Sequence, residues 1–384
     1  MTGPETSTAV TTTPVRIADV GGWTDTWFGG PGRVCSLAAG PGVTVEASLE
    51  PHSPGTDRTT TGGEALADAH RVHLIAADLG EDYRYLTPSA GQTDRPLPGR
   101  QPLLEHAVAS GLEERPVTTG HVVVIRLFSA IPAGASLGTS AAAVVGILRT
   151  LGLLLDGTEP SAEGLAAAAH RVETVRARRH SGVQDQWASA FGGAALLRID
   201  AYPRVQRSTL ELSIETRTEL EQRLVTVFLG AHDSSQVHAD VIGRIGDPTD
   251  PMTPARMRLG ELSRLAVEAA RALAQGDVDN WAGLLTAATE TQRALHPGLV
   301  GRAHQSAIDI AEASGCAGWK VNGAGGNGGS LTIVAADGVA RQRLAERLAE
   351  RWQVMDLSLV PERREPTGGG DRGPVTDDRG RSPA

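Results

Sequence analysis

The stretch IPAGASLGTSAAAVV, residues 131–145, decides how the chain is read. It is a run of small residues passing into an apolar segment. Pro132 ends the preceding strand, Gly134 and Gly138 permit backbone that other residues avoid, and Ala141 onward favours helix. Thr139 and Ser140 stand where that helix begins. Its first amide N–H groups lack intrahelical partners and its dipole adds partial positive charge, so the junction suits a phosphate. A Ser or Thr there can equally cap an ordinary core helix. The rest of the chain has to decide between the two.

Upstream, VTTGHVVVIRLFS (117–129) is the clearest strand and feeds this loop. Residues 14–20 read as a strand entering the turn GGWTDTWFGGPG, and 34–49 as one or two more strands. Residues 65–79 have helical spacing through Leu66, Ala69, Val72 and Ala76. Helices are expected to Leu112 and over 139–155. Ser161 caps another that runs to about 177, and VQDQWASAFGG forms a short one before the strand AALLRID. A second pattern starts near 210, with the strand LVTVFLG, the loop AHDSSQ, and helices over 254–275, 277–295 and 300–314. GWKVNGAGGNGGSLTIVA then reads as strand, glycine loop, strand, and a helix over 339–352 and the strand VMDLSLV close the fold. Mixed antiparallel strands and helices make the class α+β.

At 384 residues the chain is long enough for two domains. A net charge of −9 with no long basic run argues against a nucleic-acid or anionic-membrane partner. Cys35 and Cys316 have no metal or disulfide spacing, which points to a reducing, cytoplasmic setting. The start MTGPETSTAVTTT lacks the features of a signal peptide, and the apolar run Ala141–Leu155, interrupted by Arg149, is too short to span a bilayer. Residues 1–13 and 361–384 are expected to be disordered. Lys320 is the sole lysine.

Residues 323–328 match G-x-G-x-x-G, but a strand follows where a dinucleotide fold needs a helix, so that reading fails. The 131–145 loop also lacks the lysine of a Walker A sequence.

Four stretches in order resemble one family, the GHMP kinases. PAGASLGTSAA (132–142) resembles the central P-x-x-x-G-L-G-S-S-A-A motif. VRIADVGGWTDT (15–26) resembles the N-terminal motif, KVNGAGGNG (320–328) the C-terminal one, and GVQDQWASAFGG (182–193) the segment carrying a catalytic aspartate. The resemblance spans about residues 14–360. It implies an N-terminal α/β domain (14–205) and a C-terminal ferredoxin-like domain (206–360), with ATP between them.

The resemblance also implies site residues. Asp185 would be the catalytic base and Arg16 its basic partner, keeping the carboxylate ionised. Asp25, with Gly22, Trp23 and Gly182, would bind the substrate. The nucleotide would be held by Pro132, Gly134, Ser136, Leu137, Gly138, Thr139, Ser140, Gly323, Gly325 and Gly326, with Gly138, Thr139, Gly325 and Gly326 offering amides to the β-phosphate. Ser140 and Glu173 would ligate Mg²⁺, which accepts hard oxygens and keeps several waters.

Gly22 stands where galactokinases carry a glutamate. This argues against galactose and resembles the GGW-T-D of heptose 7-phosphate kinases and L-fucokinases. The cluster Arg176, Arg178, Arg179 and His180 could hold an acceptor phosphate or could simply be a solvated helix end. Two departures stand out: Ser136 and Asn327 replace glycines of the family pattern. If the Ser136 position requires positive φ, serine strains it.

The expected activity is that of an ATP- and Mg²⁺-dependent sugar kinase acting on the anomeric hydroxyl of a sugar or sugar phosphate. A kinase of a cyclitol or amino-sugar and a non-catalytic sensor of sugar and nucleotide remain alternatives. Specificity is expected from the loops 50–63 and 88–102.

Overall fold

The computed structural model describes residues 7–52, 69–88, 97–113, 115, 117, 120–232, 235–245 and 253–363. In chain order the strands and helices are β1 (Thr8–Val20), β2 (Gly32–Pro51), β3 (Ala69–Ala76), β4 (Glu81–Pro88), α1 (Pro102–Leu112), β5 (His121–Ser129), α2 (Thr139–Asp156), α3 (Ala162–Arg171), α4 (Gln184–Phe191), β6 (Ala194–Ala201) and β7 (Arg204–Leu210). Then come α5 (Ile214–Arg223), β8 (Leu224–Gly230), α6 (Ser235–Ile245), α7 (Pro254–Gln275), α8 (Val278–Leu295), α9 (Arg302–Glu312), β9 (Gly318–Val321), β10 (Gly329–Val334), α10 (Gly338–Ala349), β11 (Gln353–Met355) and β12 (Ser358–Leu359).

The first sheet is built on β2, in the order β4-β3-β5-β2-β6-β7, with β1 and β12 also pairing with β2. Both faces of the β1–β2 ribbon are covered, because α2 packs on β1 and β2 and α7 packs on β2 as well. A strand buried on both faces reads as a near-continuous apolar run, which is what Val34–Ala39 supplies, whereas Val43–Ala47 alternates buried and part-exposed residues. The second sheet runs β11-β8-β10-β9, all antiparallel. Its spatial order, fourth-first-third-second, is the ferredoxin-like arrangement, and α9 and α10 pack on it over Val227, Val321, Leu331 and Ile333. The expected α+β class is thus the observed one.

Helix α2 is long and apolar enough by composition to cross a membrane, yet 67% of it is buried within the protein, where Val144, Ile147, Leu148 and Leu151 are core. One cation in it, Arg149, is also buried, and its Nη2 donates to the Ala190 carbonyl at 2.6 Å.

Several expectations are corrected. The helix expected over 65–79 is, in its described part, β3 followed by a 3-10 turn, Ala77–Leu79; residues 65–68 lie outside the described residues. Val72, Leu74 and Ala76 are buried with less buried neighbours between them, and parallel pairing with β5 selects the two-residue period over the helical one. Residues 8–13, expected to be disordered, are the first half of β1; β-branched threonines there pair with Val43–Ser48 of β2. The boundary expected at 205 falls inside β7, which pairs with β6. Strands β7 and helices α5 and α6 were not anticipated, being short or strongly polar. VMDLSLV is two strands: β11 joins the second sheet and β12 the first. Residues 361–363 are also described, and the Arg363 amide donates to the Phe191 carbonyl at the end of α4. Residues 1–6, the tail from 364 and most of both expected specificity loops lie outside the described residues.

Candidate active site

The loop 132–138 hangs between β5 and α2 and folds back on the start of the chain. Three left-handed residues shape it: Gly134 (φ 76°), Ser136 (φ 59°) and Gly138 (φ 78°). Gly138 is the N-cap of α2 and no side chain caps that helix, so its N-terminal amides face the cleft beside Thr139 and Ser140. A Cβ on Gly138 would sit 2.9 Å from Asp185 Cγ, so the absence of a side chain is what lets Asp185 lie against the helix start.

Ser136 does occupy the left-handed region, as its place in the loop suggested. Its carbonyl accepts from Arg16 Nη1 at 3.1 Å, and its hydroxyl lies 2.7 Å from where a Cβ on Gly329 would be. A non-glycine residue there costs about 1–2 kcal/mol. Ser136→Gly is expected to stabilise the fold by up to about 1 kcal/mol, since glycine's extra chain entropy offsets part of the relieved strain. Thermal melting of the two proteins checks this; an unchanged or lower midpoint would refute it. Asn327 is not left-handed and is exposed, so it needs no special backbone tolerance.

Arg16, on β1, is 3% exposed and donates Nε to Asp185 Oδ1 at 2.7 Å and Nη1 to Asp19 Oδ1 at 2.9 Å. Burial works against its charge, but Asp185 and Asp19 more than offset this and hold the guanidinium firmly protonated. Asp185 lies in the first turn of α4 and keeps 29% of its side chain exposed to the cleft. The two residues expected to form the catalytic pair are therefore in direct contact.

Asp25 is buried, and its Oδ2 accepts from the amides of Val183 and Gln184 at 2.9 and 3.0 Å, fastening the start of α4. Gly182 passes so close that a Cβ there would meet Asp25 Oδ2 at 2.1 Å. Burial pushes the Asp25 carboxyl up to about 6, opposed by those amides and assisted by the charge of Asp185. A folded-state value raised above the unfolded one means that the native state binds the extra proton. Stability contributed by this group is present below the unfolded value near 3.8 and falls as pH rises through about 6. Asp25→Asn, which keeps an amide-accepting oxygen, is expected to gain stability relative to the parent between pH 4 and 7. Urea titrations of both proteins across that range test this; a gap that stays constant with pH would refute it.

Glu173 sits in a π-helical turn, Val172–Arg176, that continues α3, a device that re-aims a side chain and recurs at functional sites. Burial pushes its carboxyl up to about 7, against Ser181 and Gln186 beside it. Its Oε1 and Thr139 Oγ1 are buried with no hydrogen-bond partner among the described residues. Both residues line the cleft with Ser140, so orphaned hard oxygens stand beside the helix start, a donor set that fits Mg²⁺. Ser140 and Glu173 would hold that ion, and it would supply charge neutralisation at the phosphates.

The remaining expected residues divide. Trp23 (φ 78°), Gly134, Ser136, Leu137, Gly182 and Gly323 line a cleft of about 690 Å³ with those above. Gly22 and Pro132 do not line it; Gly22 backs onto Asp19, whose Oδ2 would lie 2.8 Å from a Cβ there. Leu137 is fully buried, and its carbonyl accepts the Arg16 amide. Gly325 and Gly326 are a correction. Their amides donate to Asn322 and Leu299 carbonyls and a Cβ on either would strike Leu299 or His232, so they are spent on folding rather than offered to a phosphate. Lys320 is buried outside the cleft, with Nζ donating to Gln292 Oε1 at 2.9 Å, and burial lowers it to about 8. Of the arginine cluster, Arg176 pairs with Glu113, whereas Arg178, Arg179 and His180 line the cleft.

Sequence reasoning missed Asp19, His232 and Tyr202. His232 follows β8 by two residues and lies against Gly134 and Gly326, and Tyr202 Oη donates to the Ser181 carbonyl. No local pattern marks them: Asp19 pairs with nearby Arg16 only because the strand bulges between them, and its other partner, Gly323, lies 304 positions away.

Known proteins resemble this chain in sequence and in fold. The GHMP kinases N-terminal domain matches residues 103–193. The chain is 27% identical over 346 residues to a bifunctional fucokinase/GDP-fucose pyrophosphorylase of Arabidopsis thaliana, covering 88% of this chain and 31% of that protein. It is 25% identical over 244 residues to a D-glycero-alpha-D-manno-heptose 7-phosphate kinase of Campylobacter jejuni, covering 62% of this chain and 68% of that one. The chain spans only about a third of the first two curated relatives it matches. Among solved structures, a D-glycero-D-manno-heptose 1-phosphate kinase from Bacteroides thetaiotaomicron superposes with a TM-score of 0.65 at 20% identity, over 92% of this chain and 97% of that one. The ordered motifs, the N-terminal domain match over residues 103–193 and the shared fold all give this chain one likeness, to the GHMP kinases.

Proposed function

We propose that the protein is an ATP- and Mg²⁺-dependent sugar kinase that phosphorylates the anomeric hydroxyl of its acceptor. The observation that carries this is the Arg16–Asp185 pair at 2.7 Å, set against the uncapped start of α2 in one cleft. In this reading Asp185 accepts the proton of the acceptor hydroxyl as its oxygen bonds to the γ-phosphorus. The β–γ bridging oxygen departs with ADP, and no phosphoenzyme forms. Arg16 orients the Asp185 carboxylate through its Nε and stabilises charge on the transferred group. The amides at 138–140 hold phosphate oxygens.

An acceptor resembling a heptose 7-phosphate is favoured. Arg178, Arg179 and His180 line the cleft, and neither guanidinium makes an ion pair among the described residues. A planar guanidinium suits phosphate recognition. The C. jejuni relative, named as a heptose 7-phosphate kinase, supports the same choice.

ADP release should be measured with heptose 7-phosphate, free heptose, L-fucose, galactose, a cyclitol and an amino-sugar. Turnover strongest with the heptose 7-phosphate is expected. Equal rates with free heptose would refute the acceptor assignment, and binding of sugar and ATP without ADP release would refute the kinase reading in favour of a sensor.

A further inference from the structure

We propose that Asp19 is a positioning residue: it clamps the Arg16 guanidinium onto Asp185 and ties that pair to the second sheet. The proposal rests on the kinase reading above. Asp19 is fully buried, and one oxygen, Oδ1, accepts both from Arg16 Nη1 at 2.9 Å and from the Gly323 amide at 2.9 Å. Because a guanidinium is planar and rigid, holding Nη1 fixes the plane and thereby the direction of Nε toward Asp185.

The backbone is distorted to make this contact. In a regular strand residues 16 and 19 face opposite sides. Here the register of β1 on β2 shifts between Ile17 and Val20, and Ala18 is forced to φ 54°. That bulge turns Asp19 back to the side of Arg16. Asn322 Oδ1 holds the strained turn by accepting the Ala18 amide at 3.0 Å, and Asn322 is itself fixed by Ser330 and Thr332 of β10. On the far side, Gln292 Nε2 donates to the Gly323 carbonyl and Lys320 Nζ to Gln292 Oε1. Hydrogen bonds therefore run unbroken from α8 through the glycine loop to Asp185.

Stability does not explain this arrangement. Asp19 Oδ2 is buried with no hydrogen-bond partner among the described residues, and an unpaired buried carboxylate oxygen is costly. A left-handed alanine beside it adds strain, and such strain collects where function needs it. The glycine loop of the third motif thus acts through Asp19, by orienting the catalytic pair, rather than by cradling phosphate.

The test compares the parent with Asp19→Asn, which keeps the shape and removes the charge, and with Thr150→Val. Thr150 is an equally buried polar residue remote from the cleft, bonded to Thr11. For Asp19→Asn, kcat is expected to fall about 10- to 100-fold while KM for both substrates stays within about threefold. Thr150→Val should lower the melting midpoint and leave kcat unchanged. In ¹⁵N-edited spectra of the arginine side chains, exchange of the Arg16 Nε proton with water should quicken by about tenfold or more in Asp19→Asn. Should that variant not fold, Asn322→Ser loosens the same junction from the other side and should give the same kcat-selective loss. Retained kcat, a loss shared equally by kcat and KM, or an unmoved Arg16 signal would each overturn the proposal. If the parent turns over no acceptor at all, the kinase reading fails, and the Arg16 signal alone still decides the role of Asp19.

Discussion

Replacing Asp185 with asparagine is expected to lower kcat by about 10²- to 10⁴-fold, the usual contribution of a positioned general base. The fold should survive, because the asparagine Oδ1 can still accept Arg16 Nε, which Asp185 Oδ1 does at 2.7 Å. What is lost is the site for the proton of the acceptor hydroxyl. KM for nucleotide should change little, since the amides at the start of α2 do not depend on the carboxylate charge. Initial-rate kinetics at saturating acceptor, with a melting curve to verify folding, decide the matter. Turnover near the parent value in a folded Asp185→Asn protein would remove Asp185 from the mechanism, and with it the observation on which the proposed function rests.

The second large effect is at Gly138. An alanine there must adopt φ 78°, which costs about 1–2 kcal/mol for an L-residue. Its methyl carbon would also lie 2.9 Å from Asp185 Cγ and 3.1 Å from Oδ1, so the carboxylate has to move. Misplacing a reacting group by about 1 Å costs on the order of 10²-fold in rate. Gly138→Ala should therefore lose both stability and kcat. Gly157, which ends α2 at φ 68° with nothing within 4 Å of its added Cβ, separates the two causes. Gly157→Ala should lose a similar stability, about 1–2 kcal/mol, with no loss of turnover. If both variants lose kcat alike, strain in α2 rather than contact with Asp185 is responsible.

These two glycines show what kind of information each level carries. The need for permissive backbone before α2 is readable in A-G-A-S-L-G-T-S, because proline, glycine and the alanine run act on their immediate neighbours. The same holds for Ser136, where a residue out of keeping with the motif marked a left-handed position that the structure indeed has. That Gly138 must be bare on account of Asp185, 47 positions later, has no local signature.

The sequence by itself determined the α+β class, the strand–loop–helix junction at 131–145, the long helices α7 and α8, and the likeness to the GHMP kinases. Each follows from side-chain periodicity or from motifs whose meaning is local. It misjudged β3 and the first half of β1, where pairing with β5 and β2 outweighed short-range pattern. Only the tertiary structure decided how the site is assembled. It brought Arg16 onto Asp185, set Asp25 under the start of α4, and spent the Gly325 and Gly326 amides on the fold. It also put Gly323 against Asp19 across 304 positions. The physical reason is the range of the forces concerned. Backbone preference and amphipathic spacing act over a few residues, whereas a buried charge takes its partners from wherever the packed core delivers them.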